Sequence, residues 1–193
     1  MTRFAALGDS ITLGMGDPVP GGGWRGWATL LAGTLPQPEL HNLATLGALA
    51  ADVERAQLPA AMALRPDVAS VVVGINDTLR GDFDPERTGV SVGRTVAALR
   101  AAGAEVLTIR LPDPGQMFGL PGALARPLAR RMRAVNAAGA ARVAGQRPRG
   151  TGTGRRGTRT GEPERLKQAF RKLTALRALA LGSAQAAEPT IKA

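Results

Sequence analysis

The segment RFAALGDS, residues 3–10, is a short apolar run that ends in a glycine, an aspartate and a serine. The apolar residues predict a buried β-strand over 3–7. Parallel sheets bind ligands outside the carboxyl ends of their strands, so Ser10 stands where a nucleophile would be useful. Gly, Asp and Ser also stabilise turns through backbone freedom and side-chain hydrogen bonds. The segment alone therefore leaves a catalytic and a structural interpretation open.

Strand and helix patterns alternate after this segment. Three further stretches have the composition of buried strands: 39–44, 67–73 and 104–110. Four stretches have helical spacing: 24–34, 50–64, 86–102 and 121–144. Asp84 followed by Pro85 predicts the start of the third helix. Such alternation is typical of βαβ units, so we expect an α/β fold with a doubly wound parallel sheet.

The composition excludes several classes of site. The chain of 193 residues has no cysteine and one histidine, His41, which excludes disulfides and thiolate metal sites and argues against zinc. The amino end lacks the charged start and long apolar region of an export signal. No stretch has the roughly 20 apolar residues of a membrane helix. We therefore expect a cytoplasmic protein.

The net charge of +10 is concentrated near the carboxyl end. Residues 1–145 carry 14 Arg against 12 acidic residues, whereas 146–193 carry 11 basic residues against three. We therefore predict one domain over 1–145, followed by a basic Gly/Arg/Thr linker and an amphipathic helix over the rest. The apolar residues of that helix share one face: Leu166, Phe170, Leu173, Leu176 and Ala180.

Three short motifs follow three of the predicted strands. They are GDS at 8–10, NLATLG at 42–47 and GIND at 74–77. Neighbouring parallel strands end at one edge of a sheet, so Ser10, Gly47 and Asn76 are expected to converge there. Acyl transfer needs a nucleophilic hydroxyl and hydrogen-bond donors for the oxyanion, which backbone N–H groups and an Asn amide can supply.

With these motifs in this order, the sequence resembles the SGNH, or GDSL, family of serine hydrolases. The resemblance covers roughly residues 1–140 and includes GGGWRGWATLLA and LPDPGQ. It implies a flavodoxin-like three-layer α/β/α fold and hydrolysis of esters of lipids, carbohydrates or small molecules, without a metal or cofactor. It also implies that Ser10 is the nucleophile and that Ser10 N–H, Gly47 N–H and the Asn76 side chain bind the oxyanion.

The family's last motif, Asp-x-x-His, which supplies the acid and the general base of the triad, is missing. No Asp follows Asp113 and no His follows His41. The base is therefore unknown, and we expect impaired acyl-ester hydrolysis. A catalytically silent binding module is the alternative. The Arg-Gly-Thr composition after residue 145 suggests that a frameshift or fusion near 137–145 replaced the last strand and the last helix of the fold.

Other candidate residues have structural interpretations that we prefer. Asp9 and Asp77 lie beside the predicted site, but each is expected to fix a turn or cap a helix. His41 lies in the second strand and is expected to be structural rather than the base. The remaining candidates are the loop carboxylates Asp82 and Asp84, expected to be solvated, and Trp24 and Trp27, expected to be packing anchors.

The basic tail provides a third possible function. Arg-rich segments bind phosphate backbones, and a basic amphipathic helix can lie on an anionic membrane. Phe170 is the tail's one aromatic residue, which disfavours base stacking. Nucleic-acid or membrane association through the tail therefore ranks below the two interpretations of the Ser10 site.

Overall fold

A computed structural model describes residues 1–112 and 121–144. Four parallel strands form one sheet in the order β2-β1-β3-β4. Their bounds are β1 (Thr2–Gly8), β2 (Pro38–Asn42), β3 (Val68–Val72) and β4 (Glu105–Thr108). The predicted α/β fold is confirmed, and the strand order matches the first four strands of a flavodoxin-like sheet. The predicted third strand was one residue too long at each end, and the predicted fourth ran two residues past Thr108.

Helices connect and cover these strands. They are α1 (Ser10–Leu13), α2 (Gly26–Ala32), α3 (Ala50–Asp52), α4 (Leu58–Leu64), α5 (Ile75–Thr78), α6 (Pro85–Ala101) and α7 (Gly122–Ala144). A π-helical turn (Val53–Gln57) joins α3 to α4, so the helix predicted at 50–64 is continuous but locally widened. The short helices α1 and α5, which directly follow the ends of β1 and β3, were not predicted.

The central strand β1 is apolar on both faces because helices cover both. Phe4 and Ala6 face the layer that contains α2, where Leu31 is buried. Ala5 and Leu7 face the opposite layer, which contains the π-helical turn, α4 and α6. This arrangement forms three layers and explains why the strand sequence is a continuous apolar run rather than an alternating one.

The last described helix, α7, packs along α6. The two helices approach closely at Gly89, where an added Cβ would lie 2.7 Å from the Cβ of Ala138. The start of α6 is as predicted, because the Asp84 carboxylate accepts hydrogen bonds from Glu86 N and Arg87 N. None of the described helices is long and apolar enough to cross a membrane. The predicted linker and amphipathic helix at 146–193, and residues 113–116 of LPDPGQ, lie outside the described residues.

Candidate active site

The three predicted site segments are joined by the side chain of Asn76, in the first turn of α5. Its Nδ2 donates a hydrogen bond to Ala48 O at 3.1 Å and a longer one to Asp9 Oδ2 at 3.4 Å. Ala48 follows Gly47, and Asp9 precedes Ser10. One amide therefore ties together the segments that follow β1, β2 and β3.

Ser10 begins α1 and is half-buried. Its N–H belongs to the first helical turn, where backbone donors have no partner within the helix. Gly47 is exposed and has a φ of +73°, a left-handed conformation that glycine adopts without strain. Within residues 1–112 and 121–144, neither N–H donates to a protein acceptor. Ser10 thus lies at the edge of the sheet where two unpaired backbone N–H donors and one side-chain amide are also found.

Gln57 holds the end of β1 and was not predicted as a site residue. It is 5% exposed and lies in the π-helical turn. Its Oε1 accepts a hydrogen bond from Gly8 N at 2.8 Å, and its Nε2 donates to Gly8 O at 2.9 Å and to Thr45 Oγ1 at 3.2 Å. The sequence does contain a signal, because Gln57 falls at four-residue spacing between the buried residues Val53 and Ala61.

Two carboxylates, those of the buried Asp9 and the half-buried Asp77, organise the backbone around Asn76. Asp9 caps α1 by accepting a hydrogen bond from Ile11 N at 3.0 Å. Burial raises the pKa of Asp9, the bond from Ile11 N–H lowers it, and the charge of Asp77 raises it again. Asp77 accepts bonds from Ala50 N and Thr88 Oγ1, but burial outweighs them and raises its pKa as well. Both side chains thus have the capping and turn-fixing contacts expected of them.

His41 is remote from Ser10. It pairs in register with Ala5, three residues before Gly8, which places it about 10 Å below the end of β1 at about 3.3 Å per residue. Its Nε2 lies 3.1 Å from Glu39 Oε1 on the same strand. The structural interpretation of His41 therefore agrees with its position.

The remaining candidates also have structural surroundings. Asp84 caps α6, and exposed Asp82 pairs with Arg87. Trp27 packs against the core beneath α2, whereas Trp24 is 43% exposed and pairs with Pro18 in a single β-bridge. In the described part of the chain, no group of three or more His, Asp or Glu side chains is arranged to hold a metal ion.

Comparison with known proteins identifies the family. The family model of the GDSL-like lipase/acylhydrolase family matches residues 6–148, about three quarters of the chain. The chain belongs to this family. The match contains the three motifs GDS, NLATLG and GIND, and with them Ser10, Gly47 and Asn76. No curated protein sequence matches this GDSL-family chain.

Solved structures show the same fold. The crystal structure of TesA is 26% identical to this GDSL-family chain, with 75% of this chain and 74% of TesA covered and a TM-score of 0.56. LAE5, an alpha/beta hydrolase enzyme from the metagenome of Lake Arreo, is 17% identical, with 75% and 73% covered and a TM-score of 0.58. A catalytic mutant of Axe2, an acetylxylan esterase from Geobacillus stearothermophilus, is 18% identical, with 72% of each chain covered and a TM-score of 0.54.

Proposed function

We propose that this chain carries the acylation site of a serine ester hydrolase, with Ser10 as nucleophile. Ser10 Oγ forms a bond to the acyl carbon, and the alcohol leaves with the proton that Ser10 loses through solvent. Water then hydrolyses the acyl-enzyme. Ser10 N–H, Gly47 N–H and the Asn76 amide donate to the oxyanion. The observation that carries this proposal is the contact of Asn76 with the neighbours of both other residues.

The Asn76 amide would change partners during this reaction. Both of its hydrogens are directed at protein oxygens, but the 3.4 Å bond to Asp9 is long and weak. An oxyanion that displaced Asp9 would accept a shorter, charge-assisted bond in its place. The bond to Ala48 O would keep the amide plane fixed. Loss of one such donor typically lowers turnover by about 10² to 10³.

Turnover is expected to be slow because no imidazole accepts the Ser10 proton. The single histidine is paired with Glu39 well below the site, and no Asp follows Asp113. A serine hydroxyl without an adjacent base is a weak nucleophile. A serine protease that has lost a triad member keeps roughly 10³ to 10⁴-fold catalysis over water, so residual activity is compatible with this site.

A short-chain chromogenic ester with added free imidazole tests the proposal. Imidazole in solution replaces the missing base, and its direct reaction with the ester is measured with Ser10→Ala. We expect slow hydrolysis that imidazole accelerates more in the unchanged protein than in Ser10→Ala. The matched control is Thr29→Ala, which removes an exposed hydroxyl from α2 and should behave like the unchanged protein. Equal rates for Ser10→Ala and the unchanged protein would refute the role of Ser10.

A catalytically silent binding module is the second candidate, and the absence of a histidine after His41 favours it. In that case neither imidazole nor a phosphonate probe would reveal a reactive Ser10. The frameshift hypothesis gives this candidate an origin. It requires that another reading frame of the coding DNA after Asn136 encodes an apolar strand followed by Asp-x-x-His. Nucleic-acid or membrane association through the tail would instead appear as binding that falls steeply with salt.

A further inference from the structure

The helix that carries Asn76 is too short to hold its own shape. Helix α5 has four residues, and a helix of this length is unstable in isolation. Its N-cap residue is Gly74, which has a φ of +125° and no side chain that could accept a hydrogen bond from the first turn. The position of the Asn76 amide therefore depends on contacts that other elements make with α5.

The start of α5 packs against α7. A Cβ added to Gly74 would lie 3.0 Å from Cγ1 of Val135, so the backbone at this point is in direct contact with α7. Ile75, the first residue of α5, is buried in the same apolar cluster as Met132 and Val135. Apolar packing against one turn of α7 therefore fixes the start of α5.

The other end of α5 is held by Arg131, which lies in the same turn of α7. The last carbonyl groups of a helix have no partner within the helix. Arg131 Nη1 donates a hydrogen bond to Thr78 O, at the end of α5, at 2.8 Å and a second one to Arg80 O at 2.9 Å. The Arg131 guanidinium also lies 5.3 Å from the centre of the Phe83 ring, which attracts a cation. These contacts fix the guanidinium and, through it, the end of α5.

We propose that Arg131 is a positioning residue that holds the Asn76 amide beside Ser10 by fixing the end of α5. This inference rests on the proposed function, in which Asn76 donates to the oxyanion. A shift of α5 away from Ser10 would break the two hydrogen bonds from Arg131, and bonds from a charged donor are the stronger ones. Arg131 precedes residues 137–145, so the frameshift or fusion proposed there leaves this support in place.

Amide hydrogen exchange in the full chain tests this support without any substrate. The amides of Thr78 and Leu79 donate to Gly74 O and Asn76 O, so their protection reports on the closed turn. We expect Arg131→Met to speed both exchanges at least about tenfold, because a hydrogen bond from a charged donor changes an equilibrium by about that factor or more. Arg131→Lys keeps the charge without the planar fork and should have a smaller effect.

Arg130→Met is the matched control, because it removes the same charge from the neighbouring, exposed position of α7. It should leave the protection of the Thr78 and Leu79 amides unchanged. Equal protection in Arg131→Met and Arg130→Met, or unprotected amides in the natural chain, would overturn the proposal. An equal acceleration at the amide of Ala5, in the central strand β1, would overturn it too, since Arg131 would then stabilise the whole chain rather than α5.

Imidazole-stimulated ester hydrolysis tests whether Arg131 acts through Asn76. Arg131→Met should lower kcat about 10- to 100-fold with little change in KM, because a displaced donor loses transition-state stabilisation. In an Asn76→Ala background the same change should have no further effect on kcat. An equal loss in both backgrounds would overturn the proposal. If the unchanged protein does not hydrolyse the ester, the proposed function fails, and the exchange measurement alone decides whether Arg131 holds α5.

Discussion

Replacing Gln57 with Leu should destabilise the protein by removing the clamp on Gly8. Leu has a similar volume, so the change should leave little cavity. Gly8 O would still accept a bond from Thr45 N at 3.2 Å, whereas Gly8 N–H would lose the acceptor that Gln57 provides. A buried unsatisfied donor costs about 1 to 3 kcal/mol, and each lost neutral hydrogen bond about 0.5 to 1.5 kcal/mol. We therefore expect a loss of about 2 to 4 kcal/mol.

Urea denaturation followed by circular dichroism measures this loss in the free energy of unfolding. A protein of this size loses about 2 to 4 °C in melting temperature per kcal/mol, so the midpoint should fall by roughly 5 to 15 °C. Labelling of Ser10 by a phosphonate probe, where it occurs, should slow as well, because Gly8 directs the chain into Asp9 and Ser10. That slowing should be measured well below the lowered melting temperature.

Gln57→Glu is the matched control for the direction of each hydrogen bond. Its carboxyl oxygen can still accept from Gly8 N–H, but an ionised carboxylate cannot donate to Gly8 O or Thr45 Oγ1. A protonated carboxyl can donate one such bond, so its destabilisation should shrink as the pH falls. A loss below about 1 kcal/mol for Gln57→Leu would refute the argument, since it would mean that Gly8 N–H finds another partner.

Three further predictions concern packing, titration and the lone histidine. Gly89→Ala should cost about 1 to 3 kcal/mol in a thermal melt because its Cβ would overlap Ala138, whereas Gly139→Ala, with open space around it, should be neutral or stabilising. Burial raises the pKa of Asp9 above 3.8, so the folded state loses stability as the pH rises from about 3.8 through the raised pKa. Asp9→Asn keeps a side-chain oxygen for the cap of α1 but does not titrate. The free energy of unfolding of this variant, relative to that of the natural protein, should therefore rise over the same pH range. A difference that falls with pH would contradict this. His41→Ala should leave Ser10 labelling unchanged and cost at most about 1 kcal/mol in denaturation, because its contact with Glu39 is partly exposed. Slower labelling would restore His41 as a candidate base.

The sheet could be predicted because its signals are local. The β-branched run of β3 and the apolar run of β1 each identify a buried strand without reference to any partner. The backbone pairing of the segment that follows β4 could not be predicted, because it involves a residue far along the chain. Leu111 N donates to Asn136 Oδ1 at 2.8 Å, and Asn136 Nδ2 donates to Leu111 O at 2.9 Å. A side-chain amide 25 residues away thus pairs with the backbone after β4.

The candidate site could likewise be predicted only in part. Ser10, Gly47 and Asn76 could be predicted because each stands just after a strand, where parallel topology forces convergence. The spacing of Gln57 from Val53 and Ala61 indicates a buried position, but it does not identify the group that the Gln57 amide contacts. Its contact with Gly8 lies 49 residues away in sequence and requires the fold to be known. The π-helical turn that contains it has no sequence signal that we recognise.

Contacts within the protein, and not a substrate, hold the hydrogen-bond donors beside Ser10. Asn76 bonds Ala48 O and Asp9 without any substrate, and Asp77 bonds Ala50 N, so these side chains stabilise the turns that follow the strands. A chain that has lost its general base would therefore still fold with the same donors beside Ser10. An impaired hydrolase and a silent module would therefore share the same donors. The difference between the two lies in where the Ser10 proton goes, and only the reactivity of that hydroxyl measures it.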